Sequence, residues 1–261
     1  MTKMLQRVDF FGVLWYNKGI KSKGVGSMPT VEKFIVLDVE GMSGKRPYNV
    51  GYIIADRHGR IYAKHSFAFP AAIWENIAES LRIGQAIEMT KKNIQEILLD
   101  ADKPVRKRKY KSMTSGEFTK LFTKEIRKHK IKRVFAYNVS FDKNAIFNLI
   151  GADAFDALGV EWCDIIGGIL PRLLTEKYIR YCLTNGFLSK TGIASYKAEV
   201  VYRYLTGLLD FEEEHTGLAD VLIEYFILLS AFKSHKKLNF NPVCAWAVLK
   251  KFMKEHNLSA E

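Results

Sequence analysis

Two carboxylates stand together at the end of an apolar run early in the chain. The run is Phe34–Leu37, and Asp38 and Glu40 follow it two residues apart. A continuous apolar run is typical of a strand buried on both faces, and side chains two apart on a strand point to the same side. Neighbouring carboxylates repel each other unless a cation lies between them, and carboxylate oxygens favour Mg²⁺ or Mn²⁺. The pair therefore predicts a metal site, or else two solvated acids that end a strand.

A second segment with an acid follows a predicted strand in the middle of the chain. It reads Asn138-Val-Ser-Phe-Asp142. Ser140 as N-cap would place Asp142 in the first turn of a helix, close to the carboxyl end of that strand. An Asp in this position also suits a simple helix-dipole role, which remains the alternative for Asp142 considered alone.

A third segment opens a later helix with His215 and Asp220. Thr216 as N-cap would leave His215 just before the helix and Asp220 on it, so that both side chains face the same region. A lone His before a helix is commonly an exposed loop residue. An imidazole ordinarily titrates near neutral pH, however, and beside carboxylates it offers a general base.

The patterns around these segments predict the elements that position them. Two β-rich runs are joined by a turn at Gly59, so three adjacent antiparallel strands open the fold. The predicted strands are 34–38, 48–55, 60–69, 133–137 and 160–164, and the predicted helices are 71–99, 114–129, 141–150, 193–206, 216–233 and 242–256, the last starting after Pro242. This order implies an α/β fold, with a mixed five-stranded sheet flanked by helices.

The charge of the chain is strongly basic and concentrated in one stretch. The 261 residues contain 40 Lys or Arg and 28 Asp or Glu, a formal net charge of +12. Between Lys103 and Arg133 there are 13 Lys or Arg and two acids, a surplus of 11. A solvated helix face is the ordinary interpretation of charge runs, but a surplus this concentrated favours contact with a nucleic-acid backbone. Tyr110 within it is a candidate for stacking on a base.

In this order and context, the three segments resemble the motifs of the DEDD exonuclease superfamily, in its histidine branch. That group includes polymerase proofreading domains, oligoribonucleases and tRNA-trimming ribonucleases. The resemblance covers roughly residues 33–232 and implies a ribonuclease H-like fold. Its motifs are similar to Phe34–Glu40 with Asn49-Val-Gly51-Tyr52 on the next strand, to Phe135–Asp142, and, as H-x4-D, to His215–Asp220. Asp164, which also resembles an acid frequent in the family, is expected to be structural.

The resemblance implies a 3′→5′ exonuclease that hydrolyses phosphodiester bonds in DNA or RNA and releases nucleoside 5′-monophosphates. It implies two Mg²⁺ or Mn²⁺ ions about 3.5–4 Å apart. Their ligands would be Asp38, Glu40, Asp142 and Asp220, with Asp38 between the two ions. His215 would take a proton from the attacking water.

Substrate contacts are expected beside these ligands and in the basic stretch. Met42 is a candidate to wedge against a base, and Phe141 either stacks on a base or is buried at a helix start. The full expected set is Gly41, Met42, Asn138, Phe141, Arg106, Lys107, Arg108 and Lys109. The sequence departs from the family at Gly41 and Met42, where small hydroxyl residues are frequent, at Tyr137, where many members have His, and in the long segment 70–113.

The sequence also predicts how the chain is organised and where it works. Residues 1–30 are expected to be a leader, 31–235 the exonuclease domain with a helical and basic insertion at 70–113, and 236–261 a C-terminal helical extension. No run is long and apolar enough for a membrane span, and the three scattered cysteines are expected to be free thiols in a reducing compartment, which favours the cytoplasm.

Partners and alternatives follow from the same residues. The expected partner is nucleic acid, with a single-stranded 3′ end favoured, while association with a polymerase or with a second copy is left open. The alternative to an enzyme is a protein of the same fold that binds nucleic acid without catalysis, or a proofreading partner of a separate polymerase chain.

Overall fold

One mixed sheet organises the computed structural model, which describes residues 31–41, 47–73, 88–101, 103–234 and 237–259. Its strands are β1 Lys33–Gly41, β2 Pro47–Asp56, β3 Ile61–Ala68, β4 Lys111–Ser112, β5 Arg133–Ala136 and β6 Glu161–Asp164, in the order β4-β3-β2-β1-β5-β6. β2 is antiparallel to both of its neighbours, and the other pairs are parallel. The predicted α/β class is confirmed.

The sheet begins with the hairpin that the sequence predicts. Every residue of β2 is buried, as expected for a strand with neighbours on both sides and helices on both faces. The turn into β3 is held by Asp56, whose Oδ1 accepts hydrogen bonds from the amides of His58 at 2.8 Å and Arg60 at 3.3 Å. Gly59 has a φ of 93°, a conformation that favours glycine.

The number of strands differs from the prediction, because the sheet has six strands rather than five. The additional strand, β4, is only two residues long and pairs in parallel with Phe67 and Ala68 at the end of β3. Two residues are too few to show the alternation of apolar and polar side chains by which a strand is recognised in a sequence. The prediction of five strands was therefore wrong, because β4 forms only through its pairing with β3.

The described helices are α1 Glu88–Ala101, α2 Ser115–His129, α3 Val139–Ile150, α4 Ala152–Asp156, α5 Ile165–Leu173, α6 Glu176–Thr184, α7 Ala198–Thr206, α8 Gly217–Ser234 and α9 Ala245–Glu255. Of the predicted helix 71–99, residues 71–73 and 88–99 are helical, and 74–87 lie outside the described residues. The sequence did not predict α5 and α6, and α7 begins five residues later than predicted. Cys244, and not Pro242, directly precedes α9.

The two faces of the sheet carry separate apolar cores. Along β1, Ile35, Leu37 and Val39 belong to one core, against α2 and α3, while Phe34 and Val36 belong to the other, against α5, α8 and α9. Because side chains alternate along a strand, Asp38 and Glu40 project from the face that α8 covers. The sequence thus aims both carboxylates at one helix.

Candidate functional site

Three carboxylates from two distant parts of the chain meet at the carboxyl end of β1. Asp38, Glu40 and Asp220 each offer an oxygen, and these oxygens lie within 4.8 Å of one another. Asp220 comes from the first turn of α8. The carboxyl groups of Glu40 and Asp220 lie close enough for each to shift the pKa of the other, so that a single proton can be shared between them. These three residues are called the acid cluster below.

The acid cluster depends on a very close contact between α8 and β2. The backbones of Gly51 and Gly217 approach so closely that a Cβ on Gly51 would lie 2.1 Å from the Gly217 carbonyl carbon. Asn49 fixes the same contact, because its Oδ1 accepts a 2.8 Å hydrogen bond from the Gly217 amide. Its Nδ2 donates to the Phe67 carbonyl at 2.6 Å and so holds the side chain in place. Because Gly51 and Gly217 have no side chains, the first turn of α8 can approach the end of β1.

Asp142 is tied to the same strand from the other side. It is only 2% exposed, and its Oδ1 accepts a 2.9 Å hydrogen bond from the amide of Val39, between Asp38 and Glu40. It lies outside the set of oxygens within 4.8 Å, but its charge contributes to the raised pKa of Asp38. The structure therefore places Asp142 beside the acid cluster rather than in it.

The start of α3 corrects one local prediction. The helix begins at Val139 with Asn138 as its N-cap residue, so the prediction of Ser140 as N-cap was wrong. Asn138 has a left-handed backbone with φ 63°, and its amide donates to Asp164 Oδ1 at 3.3 Å. Asp164 also caps α5 through a 2.9 Å bond from the Ile166 amide, which confirms its expected structural role. This turn starts the helix two residues early and keeps Asp142 in its first turn.

Two further acids surround the cluster, and sequence reasoning missed both. Glu224, one turn after Asp220 on α8, is 4% exposed, and its charge raises the pKa of Asp38. Glu213, in the loop before α8, raises the pKa of Asp220. The signal for Glu224 was available, because it is the only acid in an otherwise apolar stretch between Asp220 and the end of α8.

Burial and mutual repulsion keep these carboxyl groups protonated more readily than usual. Burial, followed by the charges of Glu213 and Glu40, raises the pKa of Asp220 to about 9. Burial raises the pKa of Glu40 to about 7. The pKa values of Asp38, Asp142 and Glu224 are raised well above their ordinary values, again chiefly by burial. Removing charged carboxylates from water is unfavourable, and a bound cation is the usual compensation.

Three carboxylate oxygens in this region are buried without a hydrogen-bond partner among the described residues. Two of them belong to the acid cluster, Asp38 Oδ2 and Asp220 Oδ1, and the third is Glu224 Oε2. A buried acceptor without a donor is costly, by about 1–3 kcal/mol each. Because carboxylate oxygens are the ligands that hard divalent ions prefer, this donor set fits Mg²⁺ or Mn²⁺.

His215 lies just before α8 in a left-handed backbone conformation with φ 53°. Thr216 follows it, and the Thr216 carbonyl accepts the Asp220 amide at 3.0 Å, so His215 precedes the helix and Asp220 lies on it as predicted. The His215 side chain is 32% exposed, and its Nδ1 is 3.8 Å from Glu213 Oε2. The imidazole is thus open to solvent on one side and adjoins an acid of the site on the other.

The expected substrate-binding residues fall into three groups. Gly41 is partly buried at the end of β1, and Phe141 is partly buried at the start of α3. Asn138 is exposed, and the structure shows a backbone role for it in starting α3. The four basic residues 106–109 are all exposed, and Met42 lies outside the described residues.

The basic stretch is folded firmly onto the protein from 103 to 112. Asp100, 1% exposed, accepts hydrogen bonds from the amides of Lys109 at 2.7 Å and Tyr110 at 3.0 Å and from Lys103 Nζ at 2.9 Å. Lys109 Nζ in turn lies 2.8 Å from Glu96 Oε1. Tyr110 is only 7% exposed, so the prediction that it stacks on a base was wrong: its ring packs inward beside β3. Residues 103–111 are called the basic edge below.

Comparison of the chain with protein-family models and with curated proteins finds no match. The resemblance to the DEDD exonucleases therefore rests on the residues themselves. Among the described helices, none is both long and apolar enough to cross a membrane.

Proposed function

We propose that the protein is a metal-dependent 3′→5′ exonuclease of the DEDD superfamily, on a ribonuclease H-like fold, that acts on DNA or RNA inside the cell. One observation carries the proposal: Asp38 and Glu40 from β1 and Asp220 from α8 bring carboxylate oxygens within 4.8 Å of one another. These residues are about 180 positions apart in the chain, and they are the ones that the motifs single out. The mixed sheet with helices on both faces is compatible with this fold.

Asp38, Glu40, Asp142 and Asp220 would hold two Mg²⁺ or Mn²⁺ ions. Such ions, when bound, activate a water molecule and stabilise the charge on the leaving oxygen. The buried carboxylate oxygens of Asp38 and Asp220 without hydrogen-bond partners among the described residues support this ligand set. Asp142 is anchored through Val39 to the same strand and would approach the ions from the α3 side.

The remaining steps belong to the chain's own groups. His215 accepts a proton from the attacking water as the water oxygen forms its bond to phosphorus. The bond between phosphorus and the 3′ oxygen of the preceding nucleotide breaks, and that oxygen leaves with the shortened strand and takes a proton from solvent. The product is a nucleoside 5′-monophosphate. The partial exposure of the His215 side chain, 32%, gives the proton a route to solvent.

A panel of labelled substrates tests the proposal. Single- and double-stranded DNA and RNA, each labelled at either end, are incubated with Mg²⁺, with Mn²⁺ or with EDTA. We expect a 3′ label to be released first as a mononucleotide, only when a divalent ion is present, and no release by the Asp38→Ala variant. Binding without cleavage would favour the non-catalytic alternative, and release by Asp38→Ala would show a contaminating nuclease.

A further inference from the structure

Two basic grooves lie away from the acid cluster. The first, the edge groove, has a volume of about 490 Å³ and is formed where the basic edge passes β3; it is lined by Lys64, His65, Ser66, Phe67, Arg108, Lys109, Tyr110, Lys111 and Ser112. The second lies along α2, with a volume of about 600 Å³, and is lined by Thr119, Lys120, Thr123, Lys124, Arg127 and Lys128. The lysines and the arginine of α2 are called the α2 stripe. Both surfaces carry four cations.

The edge groove is lined by basic residues, of which Lys109 also pairs with Glu96 outside the lining. Four of its nine lining residues are Lys or Arg, and none is Asp or Glu. Lys64, Arg108 and Lys111 are exposed. His65 Nε2 and Ser66 Oγ are buried without hydrogen-bond partners among the described residues. These features fit an anionic ligand that also accepts and donates hydrogen bonds, such as the phosphates and sugars of a nucleic acid.

The walls of the groove are fixed in place by the fold. Lys111 and Ser112 form β4 and pair with Phe67 and Ala68, so this wall is an extension of the sheet. Arg108 Nε donates to the Lys103 carbonyl at 2.9 Å. Together with the Asp100 carboxylate, these contacts hold the basic edge in one shape before any ligand arrives, which reduces the entropy lost on binding.

The edge groove, unlike the α2 stripe, is connected to the acid cluster. The carbonyl of Phe67, which lines the groove, accepts a 2.6 Å hydrogen bond from Asn49 Nδ2, and Asn49 Oδ1 accepts a 2.8 Å hydrogen bond from the Gly217 amide at the start of α8. The charge of Glu214, in the same loop, acts on both Tyr110 and Lys109. The α2 stripe, by contrast, belongs to the helix that packs on the opposite face of the sheet from α8.

We infer that the edge groove holds the phosphate backbone of a single nucleic-acid strand and leads it to the acid cluster, with Lys64, Arg108 and Lys111 as the phosphate contacts. This inference rests on the proposed function and names how its substrate is held. Among the lining aromatic residues, Phe67 at 1% and Tyr110 at 7% exposed are buried, and the His65 ring packs against Tyr52 and Phe67. The groove therefore contacts the backbone rather than the bases and is indifferent to sequence. Its volume of about 490 Å³ holds the backbone of one strand rather than a duplex.

A pair of charge-matched variants tests the inference. Lys64→Gln/Arg108→Gln/Lys111→Gln removes three cations from the edge groove, and Lys120→Gln/Lys124→Gln/Arg127→Gln removes three from the α2 stripe. Binding of a labelled single strand of about 16 nucleotides is measured by fluorescence anisotropy in EDTA, so that no cleavage occurs, over a range of salt concentrations. Circular dichroism and thermal melting verify that both variants are folded.

We expect the edge-groove variant to bind at least about 10-fold more weakly and to lose about 2 from the slope of log K against log salt, while the α2 variant changes binding less than about 3-fold. In Mg²⁺ the edge-groove variant should show a raised KM on long strands, and this rise should become smaller as the strand is shortened towards a dinucleotide. Equal losses in both variants, no loss in the edge-groove variant, or tighter binding of a matched duplex would each overturn the inference. Binding is measured in EDTA and therefore does not depend on cleavage. A wild-type protein that binds through the groove but does not cleave in Mg²⁺ would refute the proposed function and leave the inference about the groove standing.

Discussion

The acid cluster and the basic edge lie side by side but are built in opposite ways. The acid cluster gathers carboxylates from residues as far apart as Asp38 and Asp220; Asp220 is buried, Asp38 and Glu40 are partly buried, and all three have raised pKa values. The basic edge comes from one short stretch, 103–111, and its charges are exposed. The chemistry of the acid cluster depends on the exact positions of its oxygens, whereas the binding of anions at the basic edge depends on how many cations face the same side.

This difference has a consequence for mutations. Under the proposed function, small changes in the packing beneath the acid cluster should lower activity, because metal-binding groups tolerate little displacement. At the basic edge, single exposed charges should matter little and their loss should accumulate through the salt dependence of binding. The predictions below test whether the two regions separate in this way.

The largest effect is expected from His215→Ala. The loss of the general base should lower kcat by about 10²–10⁴-fold, while binding of a single strand in EDTA stays within about 2-fold of the wild type. Steady-state kinetics and anisotropy measure the two quantities, with the exposed His256→Ala as the matched control. An active His215→Ala enzyme would remove the imidazole from the mechanism.

Gly51→Ala tests the acid cluster by changing only the packing beneath it. Its new Cβ would lie 2.1 Å from the Gly217 backbone, so α8 must move away from β2 and take Asp220 with it. We expect a loss of about 1–3 kcal/mol in the free energy of unfolding, measured by urea denaturation, together with weaker binding of Mn²⁺ in calorimetry. Gly116→Ala is the control, because a Cβ there meets nothing within 4 Å, and it should be neutral or slightly stabilising. Unchanged stability in Gly51→Ala would contradict the close contact.

Glu224→Gln tests whether the buried acid beneath the cluster supports metal binding. It keeps the size of the side chain and removes a negative charge that acts on Asp38. The Mn²⁺ concentration for half-maximal activity should rise about 10-fold, while kcat at saturating Mn²⁺ changes much less. The exposed Glu161→Gln should leave the metal requirement as it is. A Glu224→Gln enzyme with the wild-type metal requirement would limit Glu224 to packing.

The smallest effect, taken per pH unit, is the change of stability with pH in the absence of metal. The pKa of Asp220 is about 9 in the folded protein, against an ordinary value of 3.8, so the folded state binds more protons than the unfolded state between these values. The contribution of Asp220 to stability is therefore fully present below about pH 4 and is lost as the pH rises through 9, by at most about 1.4 kcal/mol per pH unit. Urea denaturation in EDTA across this range measures it.

Asp220→Asn should flatten that dependence, whereas the exposed Asp210→Asn should not. Because a bound cation displaces the proton, the rise in melting temperature that Mn²⁺ produces should grow with pH in the wild type. A metal effect that is independent of pH would mean that Asp220 does not exchange its proton for an ion.

Much of the acid cluster could be predicted from the sequence, because its residues end locally patterned elements. The apolar run before Asp38 and the capping position before Asp220 show which way those side chains emerge. Glu224 was missed because an acid within a helix is normally taken for a solvent-facing residue. The apolar residues around it in the sequence indicated otherwise, since α8 packs against β1 and β2 on one side and α5 and α7 on the other and leaves Glu224 no solvent-facing side.

The missed elements have equally local reasons. Gly167, Gly168 and Pro171 interrupt the apolar pattern of α5, and Gly and Pro ordinarily weaken a helix. In the fold the two glycines are spacers: a Cβ on Gly167 would lie 2.6 Å from the Asn241 carbonyl oxygen, and one on Gly168 would lie 2.3 Å from the Phe240 ring. Burial of Tyr110 likewise depends on packing against α1 and β3, which the residues next to Tyr110 in the sequence do not indicate.

The Asp100 carboxylate beneath the basic edge has one more consequence. The carboxylate accepts hydrogen bonds from two backbone amides and one ammonium group, and these bonds hold the basic edge in a fixed conformation. If a strand binds there as proposed, it could move by one phosphate after each cut without dissociating, since every phosphate carries the same charge. The processivity of degradation would then be set by a buried acid that never touches the substrate.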